Sequence, residues 1–142
     1  CKREDVETWT AAADNDAGEL TCRDMDGPFR AKAMIGGEVA AFTDSKMAIL
    51  QFVGAPNVFG WRQTSVPCGA ISKHAIASVP PFLYGVGPRG FWRTDGASAE
   101  YIDSKAVRRK FLDEIRWEKR NRVVAWHNVA ERLLVLPRCG SG

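Results

Sequence analysis

The strongest constraint on the fold is a sequence pattern that occurs twice, at an offset of about 44 residues. The first copy, at 31–54, reads AKAMIGGEVAAFTDSKMAILQFVG, and the second, at 75–96, reads AIASVPPFLYGVGPRGFWRTDG. At this offset four apolar pairs coincide: Ala33 with Ala77, Ile35 with Val79, Val39 with Leu83, and Met47 with Phe91. The turn residues coincide as well, GG at 36–37 with PP at 80–81 and TDSK at 43–46 with GPRG at 87–90.

The spacing of these turn signals predicts strand, tight turn, strand, tight turn, strand in each copy, with no room for a helix. Segments 39–42 and 47–53 are apolar on both faces, as in strands that are covered on both sides. A unit of this kind must stack on neighbours, and its length is typical of propeller blades. We therefore predict an all-β fold of propeller-like blades, each a short antiparallel four-stranded meander. The alternative is a chance likeness between two meanders.

The remaining segments are assigned around these two units. Residues 1–30 form an incomplete leading unit with strands at 7–10 and 19–24. Residues 31–72 form the first blade, completed by a strand at 58–64, and 73–103 form the second, completed by a strand at 99–102. A hairpin with strands at 123–126 and 132–136 begins a further unit at 123–142.

One helix is predicted inside the segment 104–122, over 105–120. Val107, Phe111, Leu112 and Ile115 form a stripe at helical spacing, and Asp103 or Ser104 can cap the first turn. The predicted helix is basic. Its cations are Lys105, Arg108, Arg109, Lys110, Arg116, Lys119 and Arg120, with Arg122 just beyond. A solvated or subunit-facing helix is one interpretation, and sequence-independent contact with DNA phosphates is the other.

Composition limits the class of protein. A chain of 142 residues with 45% hydrophobic and 26% charged residues is large enough for one domain with a real core. A net charge of +3 does not by itself require nucleic acid. No apolar run approaches the roughly 20 residues of a membrane helix, and no signal peptide is visible. Since the chain starts at Cys1, we expect a piece of a longer chain rather than a lipidated N-terminus.

Catalytic and metal motifs are not apparent in the sequence. Cys1, Cys22, Cys68 and Cys139 are widely scattered, without a CxxC or histidine-paired spacing, so free thiols in a reducing compartment are expected. No nucleophile, base and oxyanion donor come together. We predict a protein that is not an enzyme and uses no cofactor or metal.

Four aromatic residues are candidates for contacts between units or subunits: Trp61, Trp92, Phe111 and Trp117. Trp61 and Trp92 fall in predicted strands, where packing within or between blades is the ordinary role of an indole.

Several short segments, in order and spacing, resemble the β-propeller-like tail proteins of tailed bacteriophages, including tail-hub and nozzle components. The matching residues are Trp9-Thr10, Asn15, Ala17-Gly18, Phe42-Thr43-Asp44, Phe52-Val53-Gly54, Pro56, Phe59-Gly60, Cys68-Gly69-Ala70-Ile71-Ser72, Tyr84-Gly85, Gly90-Phe91-Trp92, Asp95-Gly96, Ala125-Trp126-His127-Asn128, Pro137 and Gly140-Ser141. Members of that family are several times longer, which makes this chain an interior segment. Their last hairpin is usually rich in aromatic residues, whereas this one reads LLVL at 133–136.

The resemblance implies a virion structural protein without catalytic residues, assembled in the host cytoplasm into the tail. It implies cyclic rings around the DNA exit channel, with other tail proteins, further copies of the chain and packaged DNA as partners, and no membrane or small-molecule substrate. A cellular β-propeller that binds peptides or glycans is the alternative. A propeller glycosidase would need clustered acids, and the sequence does not show them.

Overall fold

A computed structural model of the chain describes residues 22–23, 25–54, 58–64, 67–130 and 133–135. The strand predicted at 7–10 lies outside these residues. Of the strand predicted at 19–24 only Cys22 and Arg23 are described, and neither lies in a strand.

The described residues are mostly β-structure, in two antiparallel four-stranded sheets. The first sheet consists of β1 (Ala31–Ile35), β2 (Glu38–Phe42), β3 (Met47–Phe52) and β4 (Phe59–Gln63). The second consists of β5 (Ile76–Val79), β6 (Phe82–Gly87), β7 (Gly90–Thr94) and β8 (Ala99–Tyr101). Both are simple meanders in chain order, which confirms the predicted all-β class. A hairpin of β9 (Trp126–Asn128) and β10 (Leu133–Val135) follows.

Strand pairing repeats at the offset seen in the sequence. In the first sheet Ala33 lies opposite Ala40, and Ala40 lies opposite Ile49. In the second sheet the residues 44 positions later pair in the same way: Ala77 opposite Tyr84, and Tyr84 opposite Arg93. The repeat therefore holds residue by residue over three strands of each unit.

The first turn of the first sheet depends on glycine. Gly36 and Gly37 join β1 to β2 with φ of 57° and 86°, and a two-residue hairpin turn of this type needs positive φ at both positions. The equivalent turn of the second sheet is Pro80-Pro81, joined by a cis peptide bond. Two different turn chemistries thus produce the same strand pairing.

The two sheets stack in the same sense. Phe42 and Ile49 of the first sheet pack against Trp92 of the second. The residue of the first sheet that corresponds to Trp92 is Ala48, and it lies on the opposite face from Ile49 because side chains alternate along a strand. Each sheet thus offers one face to the unit that follows it and the other to the unit that precedes it. Propeller blades stack in this manner.

The first strands of successive units lie next to one another. Strand β1 contacts β5, and β5 contacts β9. The hairpin β9–β10 therefore takes the place that the first strands of a third unit would occupy.

The helical segment is shorter than predicted. Helix α1 spans Lys105–Glu114, and the Ser104 side chain caps it by accepting a hydrogen bond from the Val107 amide. The chain becomes extended at Ile115, and Trp117–Arg122 is a 3-10 helix. Ile115 packs against the buried cluster of Ile71, Ala75, Val86 and Val123. A continuous helix to 120 would carry the chain away from this cluster, whereas the break lets Val123 return to it.

The predicted apolar stripe of the helix also needs correction. Phe111 and Ile115 pack against the cluster, but the side chain of Val107 is 54% exposed. Val107 lies in the first turn of the helix and is not part of this cluster.

Candidate interaction surfaces

The cations predicted on the basic helix fall into two groups, one that ties elements together and one that faces solvent. Arg108 belongs to the first. Its Nε and Nη2 donate to the two carboxylate oxygens of Asp103 at 3.0 and 2.8 Å, and its guanidinium carbon lies 5.0 Å from the centre of the Tyr101 ring. Burial alone would raise the pKa of Asp103, but the hydrogen bonds from Arg108 and the backbone outweigh it and lower that pKa below its ordinary value.

Gly90 leaves room for this ion pair. A Cβ at Gly90 would lie 2.5 Å from Oδ2 of Asp103 and 2.9 Å from Nε of Arg108, and its φ is +128°. The pair therefore sits directly on the start of β7 and fixes α1 to the second sheet.

Arg120 ties the 3-10 helix to the first sheet. Its Nη1 lies 3.8 Å from Oδ1 of Asp44, in the turn between β2 and β3. Arg30 donates to both oxygens of the same carboxylate at 3.2 Å. Two guanidinium groups from distant parts of the chain thus meet at one turn.

The same turn receives a second carboxylate. Asp26 accepts hydrogen bonds from the hydroxyls of Ser45 and Thr43, and these bonds lower its pKa. The amide of Ala70 donates to the carbonyl of Thr43 at 2.9 Å. Polar groups here join the segment before β1, the first sheet and the connection between the sheets.

The second group of cations faces solvent. The exposed members are Lys105, Arg109, Lys110 and Arg116, and Lys119 is half-buried. Arg109 lies 3.7 Å from Asp113 one turn away, and an exposed pair of this kind contributes little stability. Segment 105–122 carries eight cations and three acids, a net charge of +5 against +3 for the whole chain. The positive charge of the chain is therefore concentrated in this segment.

Trp92 is a core residue that lies between the two sheets. It is 1% exposed, stacks on Phe42 with ring centres 5.4 Å apart, and donates from its indole nitrogen to the Gly69 carbonyl at 2.8 Å. The contact is between the two sheets of one chain. Gly85 lies opposite Trp92, and a Cβ there would approach the indole to 2.2 Å.

The other three predicted aromatic residues keep some surface. Phe111 is half-buried, 4.7 Å from Phe91. Trp117 is 42% exposed. Trp61 is half-buried and stacks on Phe29 at 5.3 Å.

Trp61 belongs to a larger surface on the first sheet, which we call the outer apolar face. One row of paired residues crosses the sheet from β1 to β4 on this face: Met34, Val39, Leu50 and Trp61. Next to this row, Phe52 of β3 lies opposite Phe59 of β4. This face points away from the second sheet. Met34, Phe52 and Phe59 are 56%, 73% and 52% exposed. Apart from Trp61 these residues were outside the predicted sites, although the two-sided apolar pattern of β3 signals them.

The face of the second sheet that points away from the first sheet is mixed, and we call it the aromatic-polar face: Phe82, Tyr84, Arg93 and Glu100. Arg93 lies 5.0 Å above the Phe82 ring and forms an ion pair with Glu100. A groove of about 360 Å³ runs from here to the β7–β8 turn. Asp95 lines the groove, and hydrogen bonds from the Ser98 and Ala97 amides lower its pKa.

Cys68 is an inert thiol. It is fully buried beside Met47, with the two sulfur atoms 3.8 Å apart, and burial raises its pKa to about 12. Cys22 is half-buried and, like Cys68, is a thiol rather than half of a disulfide. Cys1 and Cys139 lie outside the described residues.

Within the described ranges, no group of three or more histidine, cysteine or acidic side chains is placed to hold a metal ion. Neither described helical segment is long and apolar enough to cross a membrane.

No protein-family model matches the chain, and no curated protein matches it. The resemblance to phage tail proteins stays a prediction.

Proposed function

We propose that the chain is a structural component of a bacteriophage tail, in the hub, nozzle or head-to-tail region, where it forms part of a ring around the DNA exit channel. The observation that supports this most is the same-sense stacking of the two sheets. Units that stack in one sense have two unlike ends, and a third contact of the same kind can be added at either end. Such an architecture suits a ring.

The polar side chains support a structural role. Asp103 with Arg108, and Asp44 with Arg30 and Arg120, connect elements that are far apart in the sequence. These groups hold the helical segment and the two sheets together. The outer apolar face, by contrast, is large and exposed, as is typical of surfaces that bind other proteins.

The exposed cations suit the inner wall of a DNA channel. Lys105, Lys110 and Arg116 reach solvent on one short segment of high positive charge. Contacts from such side chains to phosphates carry no sequence information and weaken as salt is raised. DNA could then slide past the wall during ejection.

The composition of purified phage particles tests the assignment. Mass spectrometry of the particles should find the chain, or a longer protein that contains it, in the tail fraction at a copy number that fits a ring. An amber mutation in its gene should give filled heads without functional tails. A chain absent from purified particles would refute the proposal.

DNA contact has its own test. Binding to a duplex should be equal for unrelated sequences, and the double variant K110E/R116E should bind more weakly with a shallower salt dependence. The matched control is K73E/R89E, which makes the same change of charge at an exposed lysine and an exposed arginine outside the helical segment. Equal loss in both variants would exclude a specific role for the segment.

One observation favours the alternative of a peptide- or glycan-binding module. The groove beside the aromatic-polar face combines an aromatic ring, an arginine and two carboxylates, and such mixtures bind polar ligands. NMR titration with glycan and peptide libraries would find chemical-shift changes at Phe82 and Asp95 if this function holds. The absence of changes would exclude it.

A further inference from the structure

The outer apolar face is built like an interface. Its four-residue row crosses every strand of the first sheet, and three of its six residues are more than half exposed. The described residues before β1 lie at one margin, where Phe29 stacks on Trp61 and the Gln63 side chain donates to the Arg23 carbonyl. Met34, Phe52 and Phe59 remain open to solvent.

The stacking of the two sheets shows what such a face contacts. At the repeat offset of 44 residues, Trp92 corresponds to Ala48 and Leu83 corresponds to Val39. The outer apolar face of the first sheet is therefore equivalent to the face by which the second sheet packs on the first. It should pack on an equivalent of Ala40 and Ile49, and in the second sheet these equivalents are Tyr84 and Arg93.

We propose that the outer apolar face binds the open part of the aromatic-polar face of a second copy of this chain, head to tail, so that the same two kinds of sheet face meet between copies as within one chain. This inference rests on the proposed ring-forming function. The hairpin β9–β10 lies beside β5, and α1 covers Val86 and Phe91, so the second copy reaches only the rest of this face. Phe82, Tyr84 and Arg93 lie in that open part and keep part of their surface exposed.

The two faces are complementary in character. The first offers the Phe52–Phe59 pair, and the second offers the Phe82–Tyr84 pair, both in edge-to-face arrangements. The contact joins unlike surfaces, so it extends to a ring or a chain of copies and does not stop at a symmetric dimer.

Light scattering and sedimentation of the purified full chain test this. The wild type should associate as its concentration rises. F52D disables the first face and F82D the second, so each variant alone should be monomeric with an unchanged circular dichroism spectrum. Because each retains the face that the other lacks, their mixture should form dimers that grow no further. F52S and F82S replace these variants if either aspartate disturbs folding.

V107S is the control, since Val107 is an exposed apolar residue away from both faces, and it should associate like the wild type. A monomeric wild type, association of F52D alone or F82D alone, or a mixture that stays monomeric would overturn the inference. Equal loss in V107S would overturn it as well.

Failure here and failure of the tail assignment are distinct. A chain that associates through these faces but is absent from phage particles keeps the interface and loses the assignment. A tail protein whose purified chain is monomeric keeps the assignment and loses the interface.

Discussion

Replacing Gly85 by alanine tests the contact that joins the two sheets. A Cβ at Gly85 would lie 2.2, 2.5 and 2.7 Å from three atoms of the Trp92 indole, whereas ordinary contacts begin near 3.4 Å. The ring or the strand must therefore move by roughly 1.2 Å. The indole cannot move freely, because Phe42 stacks on it and its nitrogen donates to Gly69. We expect Gly85→Ala to lower the free energy of unfolding by about 1–3 kcal/mol, the usual range for overpacking.

Urea unfolding of the full chain, followed by tryptophan fluorescence and circular dichroism, measures this loss. Gly60→Ala is the matched control, since its Cβ would lie 2.9 Å from Cγ1 of Val53, and this side chain is 49% exposed and has room to rotate. Its effect should stay within about 0.5 kcal/mol. The double variant G85A/W92F should lose less than the sum of the two single variants, because the smaller ring relieves the clash. A Gly85→Ala protein as stable as Gly60→Ala would refute this account of the interface.

Three further outcomes follow from the described contacts. Gly69→Ala should destabilise more than Gly85→Ala in the same urea experiment, because its Cβ would lie 2.0 Å from the Asp44 carbonyl oxygen, a backbone atom that cannot rotate away. The lowered pKa of Asp103 stabilises the fold above the carboxyl's unfolded value of about 4, and this contribution is lost as the pH falls through the folded value. Asp103→Asn should accordingly show a shallower loss of stability on acidification; an unchanged slope would contradict it. Iodoacetamide should leave Cys68 unmodified in the folded chain, because the thiol is buried. In denaturant without reductant, mass spectrometry should show four alkylated cysteines, and fewer would indicate disulfides.

Most of the strand pattern could be predicted because turn residues and apolar alternation are local signals. The offset aligned GG with PP and TDSK with GPRG, and the registers of β1–β3 and β5–β7 repeat at that offset. The fourth strands were predicted at 58–64 and 99–102 and lie at Phe59–Gln63 and Ala99–Tyr101.

The errors arise where distant parts of the chain compete with local preference. Helical periodicity runs through Ile115, but packing on Val86 and Val123 pulls Ile115 out of the helix. Asp103, before the helix, pairs with Arg108 five residues later. Side-chain pairs on a helix are expected three or four residues apart, so the sequence did not indicate this pair. The sequence around Trp92 is compatible with a core residue and with an interface residue. The strand register, which pairs Trp92 with Gly85, becomes known only from the structure.

The different characters of the two sheet faces connect the fold to the proposed assembly. Where the two sheets meet, the first contributes Phe42 and Ile49. The second contributes the indole of Trp92, which lies over Gly85. The outer apolar face carries no such indole at its centre, because Ala48 stands where the repeat would place Trp92. Its aromatic residues lie instead on β3 and β4, as the exposed Phe52 and Phe59 and the half-buried Trp61. A contact between copies would thus bring together the same two kinds of sheet face as the contact within the chain but bury its large rings further out, where they stay accessible until a partner binds. The contact around Trp92 thus serves the packing of the two sheets during folding, and the exposed rings of the outer apolar face serve assembly.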